Sequence, residues 1–132
     1  MRLLLDTHTL FWSVVDEVQL SSMANAALAD KRNEVYASLV SAWEMAIKVG
    51  LGKWPEAKPM LDNFESEMAT AKFQLLSISL NHARAAGLMQ SPHRDPFDRL
   101  LAAQAQIEGL TLVTADAKAQ SLVEALGAKW LW

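Results

Sequence analysis

Three observations predict an α/β fold for this chain, with a mostly parallel sheet covered by helices. Leu3-Leu4-Leu5 is an unbroken apolar run that stops at Asp6, and Leu110-Thr111-Leu112-Val113 repeats the pattern shortly before Asp116. Strands buried on both faces lack the alternation of half-exposed ones, so both runs read as buried parallel strands. Short strand candidates alternate with helical stretches along the chain, as βαβ units require. Finally, 52% hydrophobic and 20% charged residues suit a globular core, and 132 residues suffice for one such core, read here as one domain over 1–132.

After Asp6, the stretch Thr9 to Val15 has the length and bulk of a buried helix. Leu20-Ser21-Ser22 supplies a cap for a second helix through Met23, Ala26 and Ala27, ending near Lys31-Arg32-Asn33. Val35-Tyr36-Ala37 is a strand candidate. The clearest helical period follows from Ser38, with Leu39, Val40, Trp43, Ala46, Ile47 and Leu51 on one side. Gly50 and Gly52 end that helix, and Trp54-Pro55 with Pro59 make a loop. Met60, Leu61, Phe64, Met68 and Ala71 predict a single amphipathic helix, Gln74 to Ile78 a strand, and Asn81 to Met89 a short helix. Ser91-Pro92-His93-Arg94-Asp95-Pro96 is the strongest break and opens a helix from about Phe97 to Glu108, closed by Gly109. Beyond Asp116 a helix runs to Leu126, and a last strand ends at Trp130-Leu131-Trp132. Crossovers between parallel strands are expected to be right-handed.

Bulk properties narrow the function. Without cysteine there is neither a disulfide framework nor a thiolate metal site. No apolar run approaches the ~18 residues that span a bilayer. The amino terminus lacks the basic and apolar regions of a secretory signal, so the expected location is the cytoplasm. A net charge of −3 opposes avid electrostatic binding of nucleic acid, which normally uses a basic surface. A polyanionic partner therefore requires bridging cations.

Four acids fall where such a sheet gathers ligands, at strand carboxyl ends or helix amino ends. Asp6 and Asp116 follow the two buried strands, Glu44 lies in the first half of its helix, and Asp98 lies in the first turn after Pro96. Each has a structural alternative. Asp6 and Asp116 could cap the helices that follow, Glu44 and Lys48 could form an exposed i,i+4 pair, and Asp95 with Pro96 resembles a helix start. Two carboxylates about 6 Å apart repel by roughly 3 kcal/mol at an effective dielectric near 20. A close group of four must therefore protonate or take up cations. Oxygen donors without thiolates favour Mg²⁺ or Mn²⁺ over zinc, and such an ion can acidify water beside a phosphate. Thr7 and Thr114 could orient an acid or a water, and Lys48, Lys53, Arg94 and Arg99 could flank a nucleic-acid backbone.

Other chemistries lack their signatures. His8, His82 and His93 show no metal spacing, and no serine sits on a Gly-flanked turn. There is no Gly-rich phosphate loop. The single Asp after the first strand, followed by Thr-His-Thr, differs from the paired acids of receiver domains and haloacid-dehalogenase-like phosphatases.

The segments Leu3-Leu4-Leu5-Asp6-Thr7-His8, Ser41-Ala42-Trp43-Glu44-Met45-Ala46-Ile47-Lys48, His93 through Ala105, and Leu112-Val113-Thr114-Ala115-Asp116 together resemble the PIN-domain family, and more closely its VapC-type toxins. The resemblance spans nearly the whole chain in the family's order. It implies a three-layer α/β/α sandwich with four or five short strands, and a Mg²⁺- or Mn²⁺-dependent endoribonuclease. It also implies a homodimer and a cognate antitoxin protein that blocks the site. The family's acidic set maps to Asp6, Glu44, Asp98 and Asp116, with Asp95 an additional acid whose first reading is capping. The first three would hold the principal metal and Asp116 would assist. Leu10-Phe11-Trp12 and Trp130-Leu131-Trp132 offer apolar surface for dimerisation. The alternatives are a non-catalytic binding module on the same fold, and a DNA nuclease or phosphatase using the same acids.

Overall fold

The strand that stops at Asp6 lies at the centre of the sheet. In a computed structural model describing residues 1–132, five strands run in the order β3-β2-β1-β4-β5. They are β1 (Arg2–Leu5), β2 (Glu34–Ser38), β3 (Gln74–Leu76), β4 (Thr111–Val113) and β5 (Lys129–Leu131). Every neighbouring pair is parallel, with Leu4 level with Tyr36 on one side and Leu112 on the other. The helices are α1 (Thr7–Val15), α2 (Ser22–Ala29), α3 (Leu39–Gly50), α4 (Lys58–Asp62), α5 (Phe64–Ala71), α6 (Leu80–Leu88), α7 (Pro96–Glu108) and α8 (Ala117–Ala125). None is long and apolar enough to cross a membrane.

The apolar run of β1 feeds two cores at once because successive strand residues point to opposite faces. Leu3 and Leu5 pack with residues of α1, α2, α4 and α5, whereas Leu4 packs with α7 and α8. Helices therefore cover both faces, giving the expected three layers. Local chemistry fixes the helix starts: the Ser21 and Ser38 hydroxyls accept from Ala24 N and Val40 N, and Ser79 and His82 form a reciprocal capping box. Gly109, at φ 65°, closes α7 in the left-handed conformation that glycine adopts without strain.

Three expectations need correction. The helix through Met60 to Ala71 is two helices broken at Asn63, and Pro59 lies within the first turn of α4, where its missing N–H costs nothing. Leu10 and Phe11 are buried in the core, so they cannot form a dimer surface. On α3 the apolar side, Val40 apart, is not the buried one, and Glu44 does not lie on a solvated face. The buried residues of this helix are Val40, Ser41, Glu44 and Met45, while Leu39, Trp43, Ile47 and Leu51 are exposed, Trp43 at 48%. Periodicity locates an apolar stripe but does not say which stripe meets the sheet. This burial is tolerated because the polar groups Ser41 and Glu44 find partners on α1 and at Lys48.

Candidate active site

The strand order reverses between β1 and β4, and the crevice at such a reversal, beyond the strands' carboxyl ends, is where open α/β sheets bind ligands. Asp6 is the first residue past β1, and its N–H donates to Val113 O of β4 at 3.1 Å. Thr114 leaves β4 beside it. The second turn of α3 carries Glu44, the first turn of α7 carries Asp98, and Asp116 precedes α8. All four acids line one cleft of about 390 Å³, together with His8, Trp12, Lys48 and Asp95. A hollow of about 350 Å³ around Arg2 and Gly109, at the opposite edge of the strands, holds no carboxylate.

Each acid is held by its own donors. Asp6 Oδ1 accepts from Thr9 N at 2.8 Å, and Oδ2 accepts from the Thr114 hydroxyl. Thr7 Oγ1 donates to Glu44 Oε1 at 2.6 Å. Having spent its only hydrogen there, Thr7 must accept from Ser41, whose hydroxyl lies 3.0 Å away. Lys48 Nζ donates to Glu44 Oε2 at 2.5 Å. Asp98 Oδ2 meets His93 Nε2 at 2.8 Å, and Asp116 Oδ1 accepts from Lys118 N at 2.8 Å. Asp6, Asp95 and Asp116 are thus all N-caps, and the capping alternative is realised at each. For Asp6 and Asp116 it coexists with a place in the cleft. The Glu44–Lys48 pair also forms, but Glu44 is only 6% exposed, so it is not an ornament of a solvated face.

The cleft is electrostatically loaded. Burial pushes the Asp6 carboxyl upward, against the opposing pull of the Thr114 and Thr9 hydrogen bonds. Burial is also the main reason that Asp98 is raised from 3.8 to about 6, with the His93 hydrogen bond opposing it and the charges of Asp95 and Asp116 adding to it. A folded-state value above the unfolded one means that Asp98 favours folding fully below about pH 4, and that this contribution is lost as pH rises through 6. At about 1.4 kcal/mol per pKa unit, the loss is at most about 3 kcal/mol. We therefore expect the metal-free protein to lose stability relative to Asp98→Asn between pH 4.5 and 7.5. Urea unfolding of both proteins across that range measures the difference, and parallel curves would refute it.

In donor chemistry the cluster suits a hard divalent cation, since every group is an oxygen. As arranged, no three carboxylate or imidazole groups converge closely enough to ligate one ion. The acids differ in how far their oxygens are already engaged. Both oxygens of Glu44 are taken by Thr7 and Lys48, and both of Asp6 by Thr9 and Thr114, whereas Asp98 and Asp116 each keep one oxygen with no protein donor. Lys48 currently supplies the positive charge beside Glu44.

Thr7 and Thr114 orient acids, as one sequence reading held. Ser41 and His93 were not foreseen. His93 lies only five residues before Asp98, across the Pro96 turn that folds the segment back, and that proximity was the available signal. Of the flanking cations, Arg99 is turned inward and donates to the carbonyls of Ala86, Met89 and His93 at 3.1, 2.6 and 3.1 Å. It staples the turn that carries His93 and is not free for a nucleic-acid backbone. Lys48 is engaged by Glu44, while Lys53 and Arg94 are exposed.

Comparison with known proteins agrees with this architecture. The family model described as "PIN domain" matches residues 3–124. The structure resembles that of VapBC2 from Rickettsia felis bound to a DNA fragment from their promoter, with TM-score 0.65, 20% identity, and coverage of 100% of this chain and 99% of that one. FitAcB from Neisseria gonorrhoeae gives 0.64 at 20% identity over 98% and 96% of the two chains. A toxin–antitoxin complex from Klebsiella pneumoniae gives 0.55 at 28% identity over 88% of each. No curated protein matches the sequence.

Proposed function

Because the chain belongs to the PIN domain family, we propose that it is a divalent-metal-dependent endoribonuclease, the VapC-type toxin of a toxin–antitoxin pair. The observation that carries this reading is that Asp6, Glu44, Asp98 and Asp116, from four separate stretches of chain, line one cleft at the sheet's switch point. Asp6, Glu44 and Asp98 would hold Mg²⁺ or Mn²⁺, with Asp116 assisting. When bound, such an ion acidifies water and offsets negative charge gathering on a phosphodiester.

The chain's own groups prepare the site. Thr9 N and Thr114 fix both oxygens of Asp6, and the Ser41–Thr7 relay fixes one oxygen of Glu44. His93 orients Asp98 and leaves its second oxygen open. The amino ends of α1 and α7 add positive partial charge where a phosphate would lie. No side chain need act as a covalent nucleophile.

Incubating the protein with RNA, DNA and a phosphomonoester in Mn²⁺ tests the assignment. Internal cleavage of RNA alone supports it. Cleavage of DNA or release of phosphate points to the other hydrolase classes, and inertness toward all three leaves a binding module.

Partners follow from the same reading. A 28% identical neighbour is a toxin–antitoxin complex, which supports a cognate antitoxin here. A second copy of the chain would dock on the exposed stripe Leu39, Trp43 and Ile47 of α3, which adjoins a groove of about 440 Å³ lined by Trp43, Ile78 and Leu100. Burying a charge there without a partner costs several kcal/mol, enough to dissociate an ordinary interface. Trp43→Glu is therefore expected to shift a dimer to monomer in light scattering. A wild type that is already monomeric contradicts the homodimer.

A further inference from the structure

Four rings from three stretches of chain form a shelf that begins at the acidic cleft. His8 and Trp12 stand one turn apart on α1, Trp54 lies beyond α3, and Trp132 follows β5. His8 stacks on Trp54 with centroids 4.8 Å apart and planes 21° apart. Trp12 tilts against His8 at 5.7 Å and against Trp132 at 6.1 Å. Lys48 Nζ, while paired with Glu44, lies 5.8 Å from the Trp54 ring centre. His8 and Trp12 both line the cleft that holds the four acids.

Packing against the core accounts for the buried parts of Trp12, Trp54 and Trp132. It does not account for His8, the one exposed ring of the four, which lines the charged cleft beside Trp12. We propose, resting on the RNA-cleavage reading above, that His8 and Trp12 on this shelf stack a nucleobase of the RNA beside the cleft and so help to hold the strand there.

The charge balance is why stacking is needed. The chain carries −3 overall and crowds carboxylates where phosphates must pass, so the usual electrostatic source of nucleic-acid affinity is weak. Stacking on aromatic rings does not depend on charge and tolerates any base, and it contributes about 1–3 kcal/mol per base. Bases inside a duplex already stack on each other and do not offer a free face. Lys48, which lies 5.8 Å from the Trp54 ring centre, is already paired with Glu44 and adds little net positive charge beside the shelf.

Fluorescence anisotropy tests this with a labelled single-stranded RNA, its duplex, and the same strand with abasic nucleotides, all in EDTA at low salt so that nothing is cut. We expect the wild type to prefer the single strand. His8→Ala and Trp12→Ala should each weaken that binding roughly 5- to 150-fold, the fold-change equivalent of one lost stacking contact. Trp12→Phe should retain most of it, and the abasic strand should bind wild type and variants alike. His8 is exposed, so its replacement leaves the core intact even if Trp12→Ala unfolds. Equal binding of the single strand by wild type and His8→Ala, or undiminished binding of the abasic strand, overturns the proposal. Cleavage in Mn²⁺ is scored separately. A protein that stacks RNA but cuts nothing refutes the nuclease reading alone, and one that cuts RNA with no role for the rings refutes the shelf alone.

Discussion

Asp6→Asn is expected to abolish RNA cleavage while leaving the fold intact or slightly more stable. The substitution is nearly isosteric and separates two roles that Asp6 combines. As an N-cap it accepts from Thr9 N, and an asparagine oxygen does the same. The new amide nitrogen can donate to Thr114 Oγ1, which already accepts from Asp116 N and has a second lone pair. What disappears is a buried negative charge whose carboxyl burial already pushes upward. Its removal relieves desolvation in the metal-free protein and deletes a ligand from the metal-bound one. Loss of an outer-shell partner typically costs 10- to 100-fold in metal affinity or activity, and loss of a direct ligand should cost more. Asp6→Ala provides the contrast, since it loses the cap as well and should cost about 0.5–2 kcal/mol of stability. Cleavage that survives Asp6→Asn within about tenfold would remove Asp6 from the chemistry.

The second large effect is on stability and arises away from the cleft. Gln104 is fully buried in α7 and joins three elements. Its Oε1 accepts from the Ser38 hydroxyl at 2.6 Å, and its Nε2 donates to Ser77 O at 3.3 Å. It also lies 3.4 Å from His82 Nδ1. That nitrogen accepts from Ser79 N, so the ring proton sits on Nε2 and is donated to Glu108. Gln104→Leu preserves volume but strands the buried Ser38 donor, at roughly 1–3 kcal/mol for a buried group left unpaired. We expect a loss of about 1–3 kcal/mol in urea unfolding, with an unchanged m-value. The effect should also reach the site. Ser38 caps α3, and α3 carries Glu44, so divalent-ion affinity should fall with stability. A change below ~0.5 kcal/mol would show that the network is not what anchors α3.

How much of this was legible in the sequence varies by residue. Short apolar runs, one stopping at Asp6 and one closely followed by Asp116, marked β1 and β4, because a buried parallel strand leaves few alternatives. Gly109 and the Asp95-Pro96 pair marked the ends of α7, since their backbone restrictions act locally. The orientation of α3 was not legible. Its apolar period is real, but the contact from Thr7 on α1 and the pairing of Glu44 with Lys48 within the helix let Ser41 and Glu44 be buried beside Val40 and Met45. The break at Asn63 and the inward turn of Arg99 depend on packing and on distant carbonyls, which residue spacing does not encode. The aromatic shelf drew on rings scattered from His8 to Trp132, each of which alone reads as a core or rim residue.

The capture of divalent ions by the acidic cleft is tested most directly by thermal unfolding of the full chain with increasing Mn²⁺ at neutral pH. Binding to the folded state alone stabilises by about 2.7 kcal/mol at a hundredfold excess over Kd, or roughly 5–10 °C for a chain of this size. We expect that shift in the wild type and its loss in Asp6→Asn. An unchanged midpoint in the wild type, or an equal rise in both proteins, would show that Asp6, Glu44 and Asp98 do not share an ion.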